Sequence, residues 1–145
     1  MIGFTKLLCG TATVSEVIQR QQSKDIPAHL LQFSDINRPL VVWNATNRCN
    51  LKCKHCYIQA EDHEYNDELT TQEACTFIDD LAAMNIPVLL FSGGEPIMRK
   101  DLYQLIKRAS DKGLRPVIST NGTLITSEVA QKLKESGIMY VGVSI

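Results

Sequence analysis

Hydrophobic and polar positions follow a regular order from residue 39 onward. Short apolar runs rich in β-branched and aromatic residues predict four strands, which start close to residues 40, 87, 116 and 140. Between these runs, apolar residues recur three and four positions apart, as on the buried face of a helix. The order β-α-β-α-β-α-β, with short connections, predicts an α/β fold with parallel strands and crossover helices. Because the first strand is a continuous apolar run, we expect it to be buried on both faces.

Capping signals predict where the helices begin and end. Thr70 and Glu73 have the spacing of a capping box at the start of the first helix. Thr126 is placed to cap the third helix. Gly113 and Gly137 follow the second and third helices, where a left-handed residue commonly ends a helix.

The first 38 residues lack this regularity, since Pro27 and the polar segment 34–37 interrupt any longer element. We expect residues 1–38 to form an N-terminal extension and residues 39–145 to form the core domain. The sequence stops inside the fourth predicted strand, which leaves an apolar edge uncovered. The chain is therefore expected to be a truncated piece of a longer protein.

The composition is that of a globular chain without a strong electric field. Of 145 residues, 44% are hydrophobic and 21% are charged, which argues against disorder. Fifteen Lys and Arg nearly balance 16 Asp and Glu, and a net charge of −1 does not attract nucleic acid or an anionic membrane. No apolar run reaches the roughly 18 residues that a membrane-spanning helix needs. We expect a cytoplasmic protein that binds neither nucleic acid nor membranes.

Three of the five cysteines form a tight cluster, Cys49, Cys53 and Cys56. In a chain without secretory features, such a cluster indicates metal binding rather than disulfides. Three thiolates suit an iron–sulfur cluster or zinc and leave a fourth coordination position for another ligand. In the alternative of a structural zinc site, His63 is better placed than His55 to supply that fourth ligand.

Polar and glycine-rich segments follow each predicted strand. In parallel α/β folds, ligands bind at the carboxyl ends of the strands, so these segments are expected to meet at one rim. Gly93 and Gly94 are placed where the backbone approaches a ligand closely, and the Glu95 carboxylate is placed to accept hydrogen bonds from an ammonium or hydroxyl group. The four segments are residues 44–57, 92–96 and 119–122, and Ser144.

The combination of Cys-x3-Cys-x2-Cys, a following aromatic residue and Gly-Gly-Glu-Pro resembles the radical S-adenosylmethionine (SAM) superfamily. The resemblance implies a partial (β/α)6 TIM-like barrel, of which this chain holds the first four strands. It also implies a 4Fe-4S cluster and SAM, which chelates the cluster's fourth iron, and a 5′-deoxyadenosyl radical as the product of SAM cleavage. By resemblance, the cluster ligands are Cys49, Cys53 and Cys56, and the SAM-binding residues are Tyr57, Gly93, Gly94, Glu95, Ser119, Asn121 and Ser144.

A narrower resemblance, to the 12,18-didecarboxysiroheme deacetylases, is carried by residues 2–10, 27–34, 39–44, 89–96 and 117–126. It implies a small-molecule tetrapyrrole substrate, which loses acetate side chains to give Fe-coproporphyrin III in heme biosynthesis. It also implies an electron donor, whose identity stays open, and an auxiliary cluster in a C-terminal region that this chain does not contain.

Three alternatives remain open at this stage. The first is a heme d1 biosynthesis enzyme that acts on the same tetrapyrrole, and the second is a radical SAM peptide maturase. The third is a non-enzymatic iron–sulfur or zinc module, which leaves the glycines and Glu95 without a role. The sequence identifies no substrate-side acid or base.

Overall fold

A computed structural model of the chain describes residues 39–144. The N-terminal extension predicted over residues 1–38, together with Cys9, lies outside the described residues, as does Ile145. The proposed division of the chain at residues 38 and 39 therefore stays a prediction. Within residues 39–144, no helix is both long and apolar enough to cross a membrane.

Four parallel strands form one sheet in the order of the sequence, which confirms the predicted α/β class. The first strand is longer than its apolar run because Asn44 and Thr46 continue its pairing with the second strand, opposite Ser92 and Gly93. Polar residues are thereby carried to the carboxyl edge of the sheet. The strands are β1 (Val41–Thr46), β2 (Val88–Gly93), β3 (Arg115–Thr120) and β4 (Tyr140–Val143).

The helices are α1 (Thr71–Ala83), α2 (Leu102–Asp111) and α3 (Ser127–Glu135), and a short 3-10 turn spans Pro96–Met98. The predicted capping box is confirmed: the Glu73 N–H donates to Thr70 Oγ1 at 3.3 Å, and the Thr70 N–H donates to the Glu73 carboxylate at 2.9 Å. Thr126 caps α3 by a single bond, since its hydroxyl accepts from the Val129 N–H.

Replacing Thr70 with Ala is expected to lower the free energy of unfolding by about 1 kcal/mol, because the first N–H groups of α1 lose their side-chain acceptor. The midpoint of a urea titration measures this change. Thr76→Ala is the matched control, since the Thr76 hydroxyl is exposed in the same helix and bonds only the Gln72 carbonyl. Equal midpoints for the two variants would contradict the assignment of the cap.

The three helices pack on one face of the sheet. Their buried side chains form a single core with alternate strand residues, centred on the fully buried Phe91 and Ile118. Trp43 packs edge-on against Phe77 of α1, with ring centroids 5.3 Å apart. On the opposite face, Val88, Leu90 and Val117 form a separate small cluster that contains no helix residue.

The expectation that β1 is buried on both faces is wrong for the described part of the chain. Val42 is 53% exposed, while Trp43, which points to the other side, packs against the helical core. The difference arises because the described helices cover only one face. A continuous apolar run in the sequence does not show which face of the strand is covered by helices.

Candidate functional site

The cysteine cluster lies on a loop that leaves the carboxyl edge of the sheet directly after β1. The two arms of this loop are joined at its base, where the Cys49 N–H donates to the Glu61 carbonyl at 3.1 Å. A tight turn further along brings the Cys56 N–H to the Cys53 carbonyl, also at 3.1 Å. Cys49 is half-buried, Cys53 and Cys56 are exposed, and all three are free thiols. The structure therefore places the cysteine loop at the rim, as the sequence predicts.

Backbone N–H groups lie against two of the sulfurs. The backbone at Ile58, then at Ala60 and Gln59, holds the pKa of the Cys56 thiol below its ordinary value by hydrogen bonding to the thiolate. Gln59 has a left-handed backbone, with φ of 43°, which lets the chain curl around Cys56. The Leu51 N–H donates to Cys49 Sγ at 3.4 Å. The Cys56 sulfur is thus favoured as an anionic metal ligand.

The structure does not draw the three sulfurs together at one point. Across residues 39–144, no group of three His, Cys, Asp or Glu side chains is arranged to hold a metal ion. His63, considered above as a zinc ligand, instead contacts the Glu61 carboxylate and stacks on Tyr65 with ring centroids 4.0 Å apart. The thiol loop therefore offers the type of donor that a metal centre uses.

Gly93 and Gly94 allow the end of β2 to lie directly against the start of the thiol loop. The Gly94 N–H donates to the Thr46 carbonyl and the Glu95 N–H donates to the Arg48 carbonyl, both at 2.8 Å. A Cβ on Gly94 would lie 2.3 Å from the Arg48 carbonyl oxygen. One on Gly93 would lie 2.2 Å from the Thr46 oxygen, and Gly93 also has φ of 118°. The close approach that the sequence predicts is made here to the protein's own main chain.

Glu95 is fully buried and links the ends of β2 and β3. One carboxylate oxygen accepts from the Thr120 hydroxyl at 2.8 Å and from the Ile97 N–H at 3.1 Å. The other oxygen accepts from the Asn121 N–H at 2.8 Å. A carboxylate has about four acceptor positions, so three are already filled by protein donors. Glu95 thus positions the loop after β3, a role that the spacing of the motif alone did not reveal.

Glu95→Gln is expected to destabilise the fold by about 2 kcal/mol, because one buried N–H or hydroxyl would then face an amide donor instead of an acceptor. The same change is expected to weaken SAM binding in the intact protein by displacing the segment at Asn121. Chemical denaturation and calorimetric SAM titration measure the two effects. Unchanged stability would show that the carboxylate does not hold the two loops together.

The remaining predicted SAM-binding residues lie along the same edge. Ser119 is half-buried on β3, and Ser144 is exposed just beyond β4, where its N–H donates to the Thr120 carbonyl at 2.9 Å. Tyr57 is 73% exposed, and its hydroxyl donates to Asn44 Oδ1 at 3.1 Å. Asn121 lies nearest the thiols, with its side-chain nitrogen 3.9 Å from Cys49 Sγ. The structure thus brings Cys49, Glu95 and Asn121 together at one place on the rim.

Buried Arg99, which the sequence pattern does not single out, holds together the segments next to the rim. The Arg99 guanidinium donates to the Ala45 carbonyl at 2.6 Å, to the Leu69 carbonyl at 2.7 Å and to the Asp101 carboxylate at 2.7 Å. It also lies over the Trp43 ring, 5.3 Å from its centroid. Nothing in the local spacing marks this arginine, since two of its acceptors are main-chain carbonyls from distant segments.

Beside the thiol loop lies a cleft of about 380 Å³, whose lining includes Arg48, Glu64, Arg99 and Lys100. Its cations face carboxylates: Arg48 pairs with Asp62, Lys100 with Glu64 and Arg99 with Asp101. The cleft therefore presents balanced charge, and none of the three cysteines lines it.

Comparison with known proteins identifies the family. The sequence profile of the radical SAM superfamily matches residues 43–145. The chain is 59% identical over 146 residues to an Fe-coproporphyrin III synthase from Methanosarcina barkeri, across 100% of this chain and 37% of that protein. It is 48% identical over 106 residues to an AdoMet-dependent heme synthase from Nitratidesulfovibrio vulgaris, across 73% of this chain and 29% of that protein. The chain thus spans about a third of the length of these relatives.

The fold agrees with this result. The structure matches the crystal structure of BtrN in complex with AdoMet and 2-DOIA with a TM-score of 0.65, over 76% of this chain and 46% of that one. The sequence identity is 24%, so the likeness concerns the fold, and it agrees with the predicted partial barrel.

The family implies use of SAM and of an iron–sulfur cluster, and the thiols present suit the cluster. Three free thiols lie on one rim loop, two of them with backbone N–H groups directed at the sulfur. Soft thiolates are the ligands that iron–sulfur clusters require. Sequence motif, fold and donor set agree, and the chain belongs to the radical SAM superfamily.

Proposed function

We propose that this chain is the cofactor-binding part of a radical SAM enzyme that acts on a siroheme-derived tetrapyrrole. The reaction proposed is conversion of 12,18-didecarboxysiroheme to Fe-coproporphyrin III with loss of acetate side chains. The observation that carries the proposal is the 59% identity to an Fe-coproporphyrin III synthase along the whole chain, which includes the first 38 residues. By contrast, the match to the heme synthase covers 73% of the chain.

In this proposal a 4Fe-4S cluster is held by Cys49, Cys53 and Cys56. Bound there together, the cluster and SAM supply one-electron reductive cleavage of a carbon–sulfur bond of SAM. Two observations support this ligand set. Backbone N–H groups lie against the sulfurs of Cys49 and Cys56. Cys53 is exposed, so its side chain can turn towards a metal centre without leaving a buried position.

SAM is proposed to lie along the rim formed by the ends of β2, β3 and β4. The residues assigned to it are Tyr57, Gly93, Gly94, Glu95, Ser119, Asn121 and Ser144. Gly93 and Gly94 keep the end of β2 close to the thiol loop, and Glu95 fixes the neighbouring loop after β3. Half-buried Ser119 and exposed Ser144 offer hydroxyl groups on the same edge. An electron-donating protein and a tetrapyrrole are the proposed partners.

The test uses the full-length protein, purified without oxygen and reconstituted with iron and sulfide. It is incubated with SAM, a strong reductant and 12,18-didecarboxysiroheme, and 5′-deoxyadenosine and tetrapyrrole masses are followed by chromatography. Substrate-dependent 5′-deoxyadenosine together with Fe-coproporphyrin III is the expected result.

Two other outcomes separate the parts of the proposal. If SAM is cleaved while the tetrapyrrole keeps its mass, the substrate is wrong and the heme d1 tetrapyrrole enzymes and peptide maturases become the alternatives. If a fully assembled cluster fails to cleave SAM under reducing conditions, the proposed reaction class is wrong.

A further inference from the structure

Three polar side chains form a closed ring of hydrogen bonds beside Cys49. Asn50 Nδ2 donates to Thr123 Oγ1 at 2.9 Å, and Thr123 Oγ1 donates to Asn121 Oδ1 at 2.6 Å. Asn121 Nδ2 then donates to Asn50 Oδ1 at 2.9 Å, which closes the ring. The ring joins the thiol loop to the loop after β3, across 71 positions of the sequence.

This ring fixes which end of the Asn121 amide faces the sulfur. The Asn121 oxygen is occupied by two donors, the Thr123 hydroxyl and, at 2.9 Å, the Thr123 N–H. The nitrogen therefore lies on the other side, where one of its hydrogens bonds Asn50 and the nitrogen is 3.9 Å from Cys49 Sγ. Rotating the amide by half a turn would place its oxygen beside the sulfur and would break the hydrogen bonds that the Asn121 side chain makes with Asn50 and Thr123.

The main chain holds the same residue from beneath. The Asn121 N–H donates to the buried carboxylate of Glu95, which fixes the start of the loop after β3. The backbone and both ends of the side chain are thus assigned to protein partners. The group of Asn121 that lies beside the Cys49 sulfur is the side-chain N–H.

We propose that Asn50 and Thr123 are positioning residues that direct the Asn121 amide at the Cys49 sulfur and thereby set the reduction potential of the cluster held there. The inference rests on the proposed cluster site. Hydrogen bonds to cluster sulfurs are among the features that tune the potential of iron–sulfur centres. Because reduction adds negative charge, an N–H donor stabilises the reduced form more than the oxidised form, and its loss makes the potential more negative.

The test measures the midpoint potential of the reconstituted full-length protein by redox titration followed with electron paramagnetic resonance. Asn50→Ala and Thr123→Val are each expected to move the midpoint to a more negative value at unchanged iron content. Thr123→Ser keeps the hydroxyl and is expected to retain the original midpoint. Thr76→Val, which makes the same change on the exposed surface of α1, is the matched control and is expected to have no effect.

A double-variant experiment shows whether the effect passes through Asn121. In an Asn121→Ala background, Asn50→Ala is expected to move the midpoint no further, because the amide that it orients is gone. A full additional shift in that background would overturn the proposal. So would an unchanged midpoint in Asn50→Ala and Thr123→Val, or loss of iron from both, since the ring would then serve only to hold the loop. If the unsubstituted protein binds no cluster, it is the proposed function that fails.

Discussion

Cys53→Ala is expected to leave the fold intact and to abolish assembly of the iron–sulfur cluster. The Cys53 side chain is exposed, and the hydrogen bond that its residue makes with Cys56 uses the main-chain carbonyl, which alanine retains. The free energy of unfolding of the metal-free chain should therefore change by less than about 0.5 kcal/mol. Two thiolates cannot replace the three protein ligands of the proposed site, so iron and sulfide content should fall to background and SAM cleavage should stop.

The matched control for this experiment is Cys75→Ala. Cys75 is buried in α1 as a small hydrophobic residue of the core, and it lies outside the thiol loop. This variant should keep its iron while losing some stability, which is the opposite pattern. Full iron content and SAM cleavage in Cys53→Ala would mean that another residue completes the site and that the ligand set is wrong.

Gly94→Ala is expected to lower the free energy of unfolding by at least about 3 kcal/mol. The added methyl group would meet the Arg48 carbonyl oxygen at 2.3 Å and the Arg48 carbonyl carbon at 2.7 Å. Both are main-chain atoms, which cannot rotate away as a side chain can, so the cost lies at the upper end of that seen for overpacked sites. If the end of β2 moved away from the start of the thiol loop, the hydrogen bonds from the Gly94 N–H to Thr46 and from the Glu95 N–H to Arg48 would also break.

Gly113→Ala distinguishes crowding from backbone strain. Gly113 has φ of 85° but no atom within 4 Å of the position that a Cβ would take. Its substitution should cost only about 1 kcal/mol, the penalty of a left-handed residue. Thermal or urea unfolding of the two variants measures the difference. Equal losses of stability would show that the end of β2 can move away from the thiol loop at little cost.

The elements of this fold were predictable because their signals are local. The capping box of α1 needs only Thr70 and Glu73, three positions apart, and Gly113 ends α2 with the left-handed backbone that its position implied. The rim was also predictable, since parallel strands present their carboxyl ends at one edge of a sheet. Placing the thiol loop and Glu95 at that edge required nothing beyond the order of the elements.

The contacts within the rim were not predictable, because their partners are far apart in the sequence. Glu95 meets Thr120 across 25 positions, and Asn50 meets Thr123 across 73. An acidic residue after two glycines has the same local pattern whether it faces a ligand or is buried against the next loop. Asn50 and Thr123 carried a weak signal, since each directly adjoins a residue or segment already assigned to the site.

The way the thiol loop is attached has a consequence for the order of assembly. Its side chains bond the rest of the chain from Asn50 to Asn121 and from Tyr57 to Asn44, whereas Cys53 and Cys56 are exposed. The entropy lost when a metal centre binds is therefore confined to a few residues of a scaffold that has already folded. This arrangement favours insertion of the proposed metal centre after the polypeptide has folded. A zinc finger differs, because it folds only around its metal.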